Sequence, residues 1–132
     1  MPVIGKVAQG ARYALGGIRV VNGGLGLLAP SFIQKRLGDP APERNAAAIY
    51  GLRLFGVRTV LIGLDLFRLS GPALDSALRS AVLIHASDTT TVLTLQRRKV
   101  LSPELARPLT LISGLNTALA VVAYLGNRRS GS

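Results

Sequence analysis

Cysteine and tryptophan are absent from this 132-residue chain, and histidine occurs once. Without thiols there can be no disulfides, no thiolate catalysis and no Cys-based metal or iron–sulfur centre, and a lone His85 cannot build a zinc site. Aromatic residues are scarce, three Tyr and three Phe. They are not interleaved with a basic stripe, as platforms for stacking nucleic-acid bases would be, so nucleic acid is set aside as a partner. Acidic residues are few as well, six against 16 Lys and Arg, which leaves a net charge of +10. That charge favours anionic membrane surfaces.

Apolar residues fill what is left. Hydrophobic residues make up 48% of the chain against 17% charged, with a mean hydropathy of +0.39. This balance is too apolar for disorder and points to a membrane protein. The length suits one domain, 1–132, without a second independent core. The N-terminus MPVIGKVAQGARYALGG has a basic start but no clean apolar core followed by a small-residue cleavage site, so the first hydrophobic stretch is expected to be retained. Abundant Ala, Gly, Leu and Arg beside three Lys suggest a GC-rich bacterial source.

Four apolar segments, roughly 10–29, 46–69, 76–96 and 107–126, each have the length that crosses a bilayer as a helix. The expected fold is therefore all-α, a four-transmembrane-helix bundle in the cell (inner) membrane. Pro30 closes the first segment, and QKRLGDPAPERN follows as a loop. Ser70, Gly71 and Pro72 end the second, with Asp75 or Ser76 as N-cap of the third. Ser102, Pro103 and Glu104 open the fourth. The tail NRRSGS reads as solvated. Lys and Arg are almost equally divided between the two sets of loops, so the positive-inside rule assigns no orientation.

The fourth segment carries no charge beyond its ends, whereas GVRTVLIGLD (56–65) in the second holds Arg58 and Asp65, and the third holds His85 and Asp88. Charges at bilayer depth must face protein or water. Helical periodicity agrees: Arg12, Gly16, Arg19, Gly23 and Gly26 share one face of the first helix, opposite Ala14, Ile18, Val21, Leu25 and Leu28. A polar face that is also a small-residue face lets a neighbouring helix approach closely while sheltering a charge from lipid. Gly51, Leu54, Arg58 and Asp65 align similarly in the second helix, and His85, Asp88 and Thr89 share a face in the third. GIRVVNGGLGLL (17–28) also echoes GVRTVLIGLDLF (56–67), pairing Gly17 with Gly56, Arg19 with Arg58 and Gly24 with Gly63. Two copies make a weak internal repeat, which chance in Gly/Leu/Val-rich segments also explains.

Facing inward, Arg19, Asn22, Arg58, Asp65, His85, Asp88 and Asn116 would form one polar cluster near mid-depth. Arg53 lies about 140° from Arg58, which suggests snorkelling or a separate contact, and Arg12 and Arg79 near the span ends are expected to snorkel. One reading is structural, with mutual ion pairs and hydrogen bonds that hold the bundle together. The other is functional. Asp88 and Asp65 then serve as general acid or base with His85 as proton partner, while Arg19, Asn22, Arg58 and Asn116 hold a lipophilic or anionic small molecule. Epoxide opening, isomerisation or cyclisation would suit such a set, without cofactor or metal. The competing class is a non-enzymatic accessory or scaffold subunit whose Gly-rich faces pack against a larger membrane partner or a second copy. A soluble basic bundle that binds nucleic acid is disfavoured by the fourth segment.

The pattern ARYALGGIRVVNGGLGLLAP, a polar loop, YGLRLFGVRTVLIGLDLF and then HASDTTT resembles a group of small bacterial and fungal integral membrane proteins, uncharacterised four-helix proteins distantly similar to the DoxX-like families. The resemblance covers nearly the whole chain. It implies a four-helix membrane fold with Arg19, Arg58, Asp65, His85 and Asp88 inside the bundle, and it implies no settled activity.

Overall fold

The computed structural model describes residues 2–130. These form five helices, α1 (Pro2–Leu28), α2 (Pro30–Arg36), α3 (Ala46–Arg68), α4 (Gly71–Arg97) and α5 (Pro103–Ser130), with a 3₁₀ turn at Pro42–Arg44 and no strand among the described residues. The chain was expected to form one domain, and its contacts group into two compact units. One combines α1 up to Leu15 with everything from Leu69 onward, and the other is Gly16–Arg68.

In the second unit, the C-terminal half of α1 packs against α3 almost backbone to backbone. A Cβ at Gly23 would stand 2.7 Å from the Val60 nitrogen and 2.8 Å from the Gly56 carbonyl oxygen. One at Gly63 would stand 3.0 Å from the Gly16 carbonyl oxygen, and one at Gly16 would be 3.1 Å from that of Gly63. Gly16 thus faces Gly63 while Gly23 faces Gly56, so the helices run antiparallel with a glycine every seven residues on each, two turns apart. Small residues at this spacing bring carbonyls close to neighbouring Cα–H groups, a short-range backbone packing. The expected division of α1 is met for most of its residues: Gly16, Arg19, Gly23 and Gly26 are buried and Ala14, Val21, Leu25 and Leu28 are exposed, while Arg12 and Ile18 are half-buried.

The echo between 17–28 and 56–67 does not carry over to this packing. Gly56 and Gly63 lie in the contact, but their matches Gly17 and Gly24 have no atom within 4 Å of a built Cβ. The residues that meet α3 are Gly16 and Gly23, one position earlier, and one residue rotates a helix face by about 100°.

The connection between α1 and α3 holds more structure than the expected loop. Pro30 starts α2 instead of ending order, because a proline in the first turn has no intrahelical N–H to lose. Asp39 organises the chain that follows: its Oδ1 accepts from the Ala41 N–H at 2.9 Å and its Oδ2 from Asn45 Nδ2 at 3.1 Å. With its amide nitrogen facing inward, the buried Gln34 donates to Asp39 Oδ2 and the Pro42 carbonyl, both at 3.0 Å. Asn45 then caps α3 by accepting from the Ala48 N–H at 3.1 Å.

In the first unit, α4 and α5 form an antiparallel hairpin. Leu74, Leu78, Ala81 and His85 are buried on α4, and Ala106, Ser113, Asn116, Ala120 and Ala123 on α5. This alternation of three and four residues is the seam of a left-handed helix pair. The start of α4 differs from expectation, since Ser70 is the N-cap and Gly71 and Pro72 form the first turn, ahead of Asp75 and Ser76. Gly71 makes this start with a φ of 59°, a conformation that glycine adopts without a Cβ penalty. Ser102 does open α5, its Oγ accepting from the Leu105 N–H at 3.4 Å. The expected solvated tail is helical through Arg128 and Arg129, and Gly131 and Ser132 lie outside the described residues.

Lys99, just past α4, has a φ of 58°. Its N–H donates to the Gln96 carbonyl and that of Val100 to the Leu95 carbonyl, both at 3.0 Å, so the left-handed residue closes the helix. A lysine there carries a Cβ penalty of about 1 kcal/mol that glycine lacks. Lys99→Gly is expected to raise stability by about that amount, measured by thermal unfolding followed through helical circular dichroism.

Candidate functional site

Large apolar side chains lie outside and small or polar ones inside. Val21, Leu25, Leu28, Phe55, Leu61, Leu64, Leu83, Leu111, Leu115 and Leu125 are among the exposed residues, whereas the buried set is mostly alanine with Leu15, Leu66, Leu74 and Leu78. Among the described residues two helices are long and apolar enough to cross a membrane, Ala46–Arg68 with mean hydropathy 1.5 and Pro103–Arg129 with 1.6. Of their apolar stretches 11% and 28% is buried, so the apolar surface of both faces outward. The helices α1 and α4 fall outside this pair. Arg12, Arg19 and Asn22 lower the hydropathy of α1, and Arg79, His85, Asp88 and four threonines lower that of α4.

Within this setting several polar residues sit at the middle of their helices. Arg58, His85 and Asn116 each lie within about one residue of the helix midpoint, which at 1.5 Å per residue is bilayer depth if the helix spans. In the first unit, His85 is 5% exposed and its Nδ1 stands 3.5 Å from Asp88 Oδ2, one turn onward. Asp88 itself is expected to be buried, and its side chain is 54% exposed. Position alone does not set it apart, since residue 88 lies about 20° from Ala81 around the helix; Thr89, on the other side of His85, is the residue that meets α5, through Ser113. The result is a carboxylate at the surface touching an imidazole inside.

The seam carries further polar groups. Thr89 Oγ1 and Ser113 Oγ lie 2.9 Å apart across α4 and α5, with Thr89 also 3.0 Å from the His85 carbonyl and Ser113 2.8 Å from that of Leu109. Asn116, one turn beyond Ser113 on the same face, is 6% exposed, and its Oδ1 is buried without a hydrogen-bond partner. An unpaired buried amide oxygen costs about 1–3 kcal/mol, so this position calls for a donor. Thr89 and Ser113 were not among the expected site residues. Their seam spacing relative to His85 and Asn116 was the signal that could have found them.

In the second unit, Arg19 is 3% exposed, and its Cβ would be 3.0 Å from a Cβ built at Gly63. Asn22 is half-buried. Arg58, expected to face inward as Arg19 does, is exposed. The buried line of α3 is Gly56, Gly63 and Leu66, and Arg58 lies about 200° from Gly56 around the helix. Asp65, expected beside Arg58 as an acid or a counter-ion, is held by Arg68, whose Nη2 is 2.7 Å and Nε 2.8 Å from its Oδ1. Arg53 is exposed.

No family model matches the chain, and no curated protein or solved structure matches it either.

Proposed function

We propose that this chain is a multi-pass protein of the cell (inner) membrane that crosses with α1, α3, α4 and α5, and whose α4–α5 seam binds a small lipophilic or anionic molecule. The observation that carries the site is the buried, unpartnered Oδ1 of Asn116 in a seam that also holds Ser113, Thr89 and His85. A ligand hydroxyl or amine would supply the missing donor. Asp88, exposed yet touching His85, then connects the seam to the outside and acts as acid or base through the imidazole. This arrangement fits proton-transfer chemistry that needs no cofactor, such as isomerisation, cyclisation or epoxide opening. Four spans are also what the resemblance to small proteins distantly similar to the DoxX-like families implies.

The test has two parts. Membranes washed with alkaline carbonate should retain the chain, and its release would overturn the membrane reading. Mass spectrometry of the protein extracted in mild detergent should find a co-purifying molecule of a few hundred daltons; protein that emerges bare from membranes and binds nothing from a lipid extract would overturn the site.

A second reading, an accessory subunit of a larger assembly, is favoured by the outer face of α4. Ser76, Ser80, Ser87, Thr90, Thr91 and Thr94 are all exposed there, and Arg58 is exposed at the middle of α3. A charge facing lipid at mid-helix costs about 2.5–3.5 kcal/mol, and another protein covering these residues would remove that cost. The mass of the extracted particle separates the readings, since an accessory subunit emerges with its partner and a self-sufficient protein without one.

A further inference from the structure

At one end of the first unit, a cavity of about 350 Å³ lies between the first turns of α1 and the last turns of α5. Its polar lining is Lys6, Gln9, Arg12 and Asn127, two cations and two amides with no carboxylate. The floor is closed by Ala8 against Gly126, so tightly that a Cβ on Gly126 would run into that of Ala8. Arg12 is fixed at the wall. Its Nη2 donates to Tyr13 Oη at 2.9 Å and its guanidinium carbon lies 4.6 Å from the centroid of that ring, while its Nε is buried with no partner. Gln9 Nε2 donates to the same hydroxyl at 3.2 Å, which adds to the support of the Arg12 contact.

We infer that this cavity binds a phosphate ester, the head of an anionic phospholipid. The Arg12 guanidinium, the Lys6 ammonium and two amides supply hydrogen-bond donors to phosphate oxygens. Background charge has the same sign, because the first turn of α1 has no acidic residue and the last turn of α5 adds Arg128 and Arg129. The volume far exceeds one phosphate group and leaves room for the glycerol that a headgroup carries. Helix ends lie at headgroup level in a spanning helix, so the headgroup source rests on the membrane reading, whereas the phosphate chemistry does not.

The test uses the full chain in neutral detergent, with thermal unfolding followed by circular dichroism. Mixed micelles containing phosphatidylglycerol should raise the midpoint, and those containing phosphatidylcholine should not. For Lys6→Gln/Arg12→Gln the phosphatidylglycerol needed for half the rise should increase about tenfold, as it should for Asn127→Asp, which places a carboxylate in the lining. Arg97→Gln/Arg98→Gln removes the same charge elsewhere and should leave the response intact. If inorganic phosphate at equal concentration gives the same protection with the same variant pattern, the ligand is free phosphate and the headgroup source is overturned. An equal loss in the Arg97/Arg98 variant, or no loss in the cavity variants, overturns the site.

Discussion

Replacing Gly56 by leucine is expected to abolish folding of the α1–α3 pair. Even the first atom of the new side chain has no space: a Cβ at Gly56 would collide with the Leu27 backbone nitrogen, 2.5 Å from the Gly23 carbonyl oxygen and 2.9 Å from the Gly26 carbonyl carbon. All three are backbone atoms, so no rotamer change relieves the overlap, and the helices must separate or slide. Overpacking a core with flexible neighbours costs about 1–3 kcal/mol; here the contact itself is lost, and the cost should exceed that range. Gly23→Leu should act alike for the same reason. Gly17→Ala and Gly24→Ala are the controls, since nothing lies within 4 Å of a Cβ at either. They should be neutral or stabilising by up to about 1 kcal/mol, the helix-propensity difference between glycine and alanine. The measurement is thermal unfolding in detergent together with the yield of extracted protein. Equal stability of Gly56→Leu and Gly24→Ala would overturn the packing scheme.

The same glycines indicate how far the sequence can be read. Periodicity was enough to find the buried face of α1, because Gly and Arg at a helical repeat opposite Val and Leu mark the side on which a neighbouring helix can pack closely. It failed for α3. Arg58 looked equivalent to Arg19 through the echo of GIRV in GVRT, but the echo pairs Gly17 with Gly56, whereas the packing uses Gly16. One residue of register separates a buried arginine from an exposed one, and sequence similarity does not record register. The seam of α4 and α5 was partly legible: His85 and Asn116 stood out as polar residues in apolar runs, whereas Thr89 and Ser113 are common membrane-helix residues and gave no such signal. The hydrogen bonds of Asp39 were hidden for another reason. They join Gln34, Ala41 and Asn45, whose spacing follows no helical period, and two prolines nearby suggested an irregular loop. Helix starts were legible where a serine precedes proline and glutamate, as at Ser102, but not at Ser70, where a glycine in a left-handed conformation begins the helix.

Asn116→Leu is expected to separate stability from function. Leucine keeps the branching of asparagine and removes the buried Oδ1, which has no partner. Relief of that group should raise the stability of ligand-free protein by about 1–2 kcal/mol, within the cost of leaving a buried acceptor unmade. The same change should remove the co-purifying molecule, because the acceptor would no longer meet its donor. Stabilisation with loss of binding is the mark of a group kept for use rather than for folding. Asp88→Asn supplies the complementary case. Its side chain is 54% exposed and touches His85, so the change should move stability by less than about 0.5 kcal/mol while the ligand stays bound and its turnover stops. If Asn116→Leu destabilises the protein and leaves the bound molecule in place, the seam is not the binding site. If Asp88→Asn keeps full turnover, the carboxylate is not the acid or base.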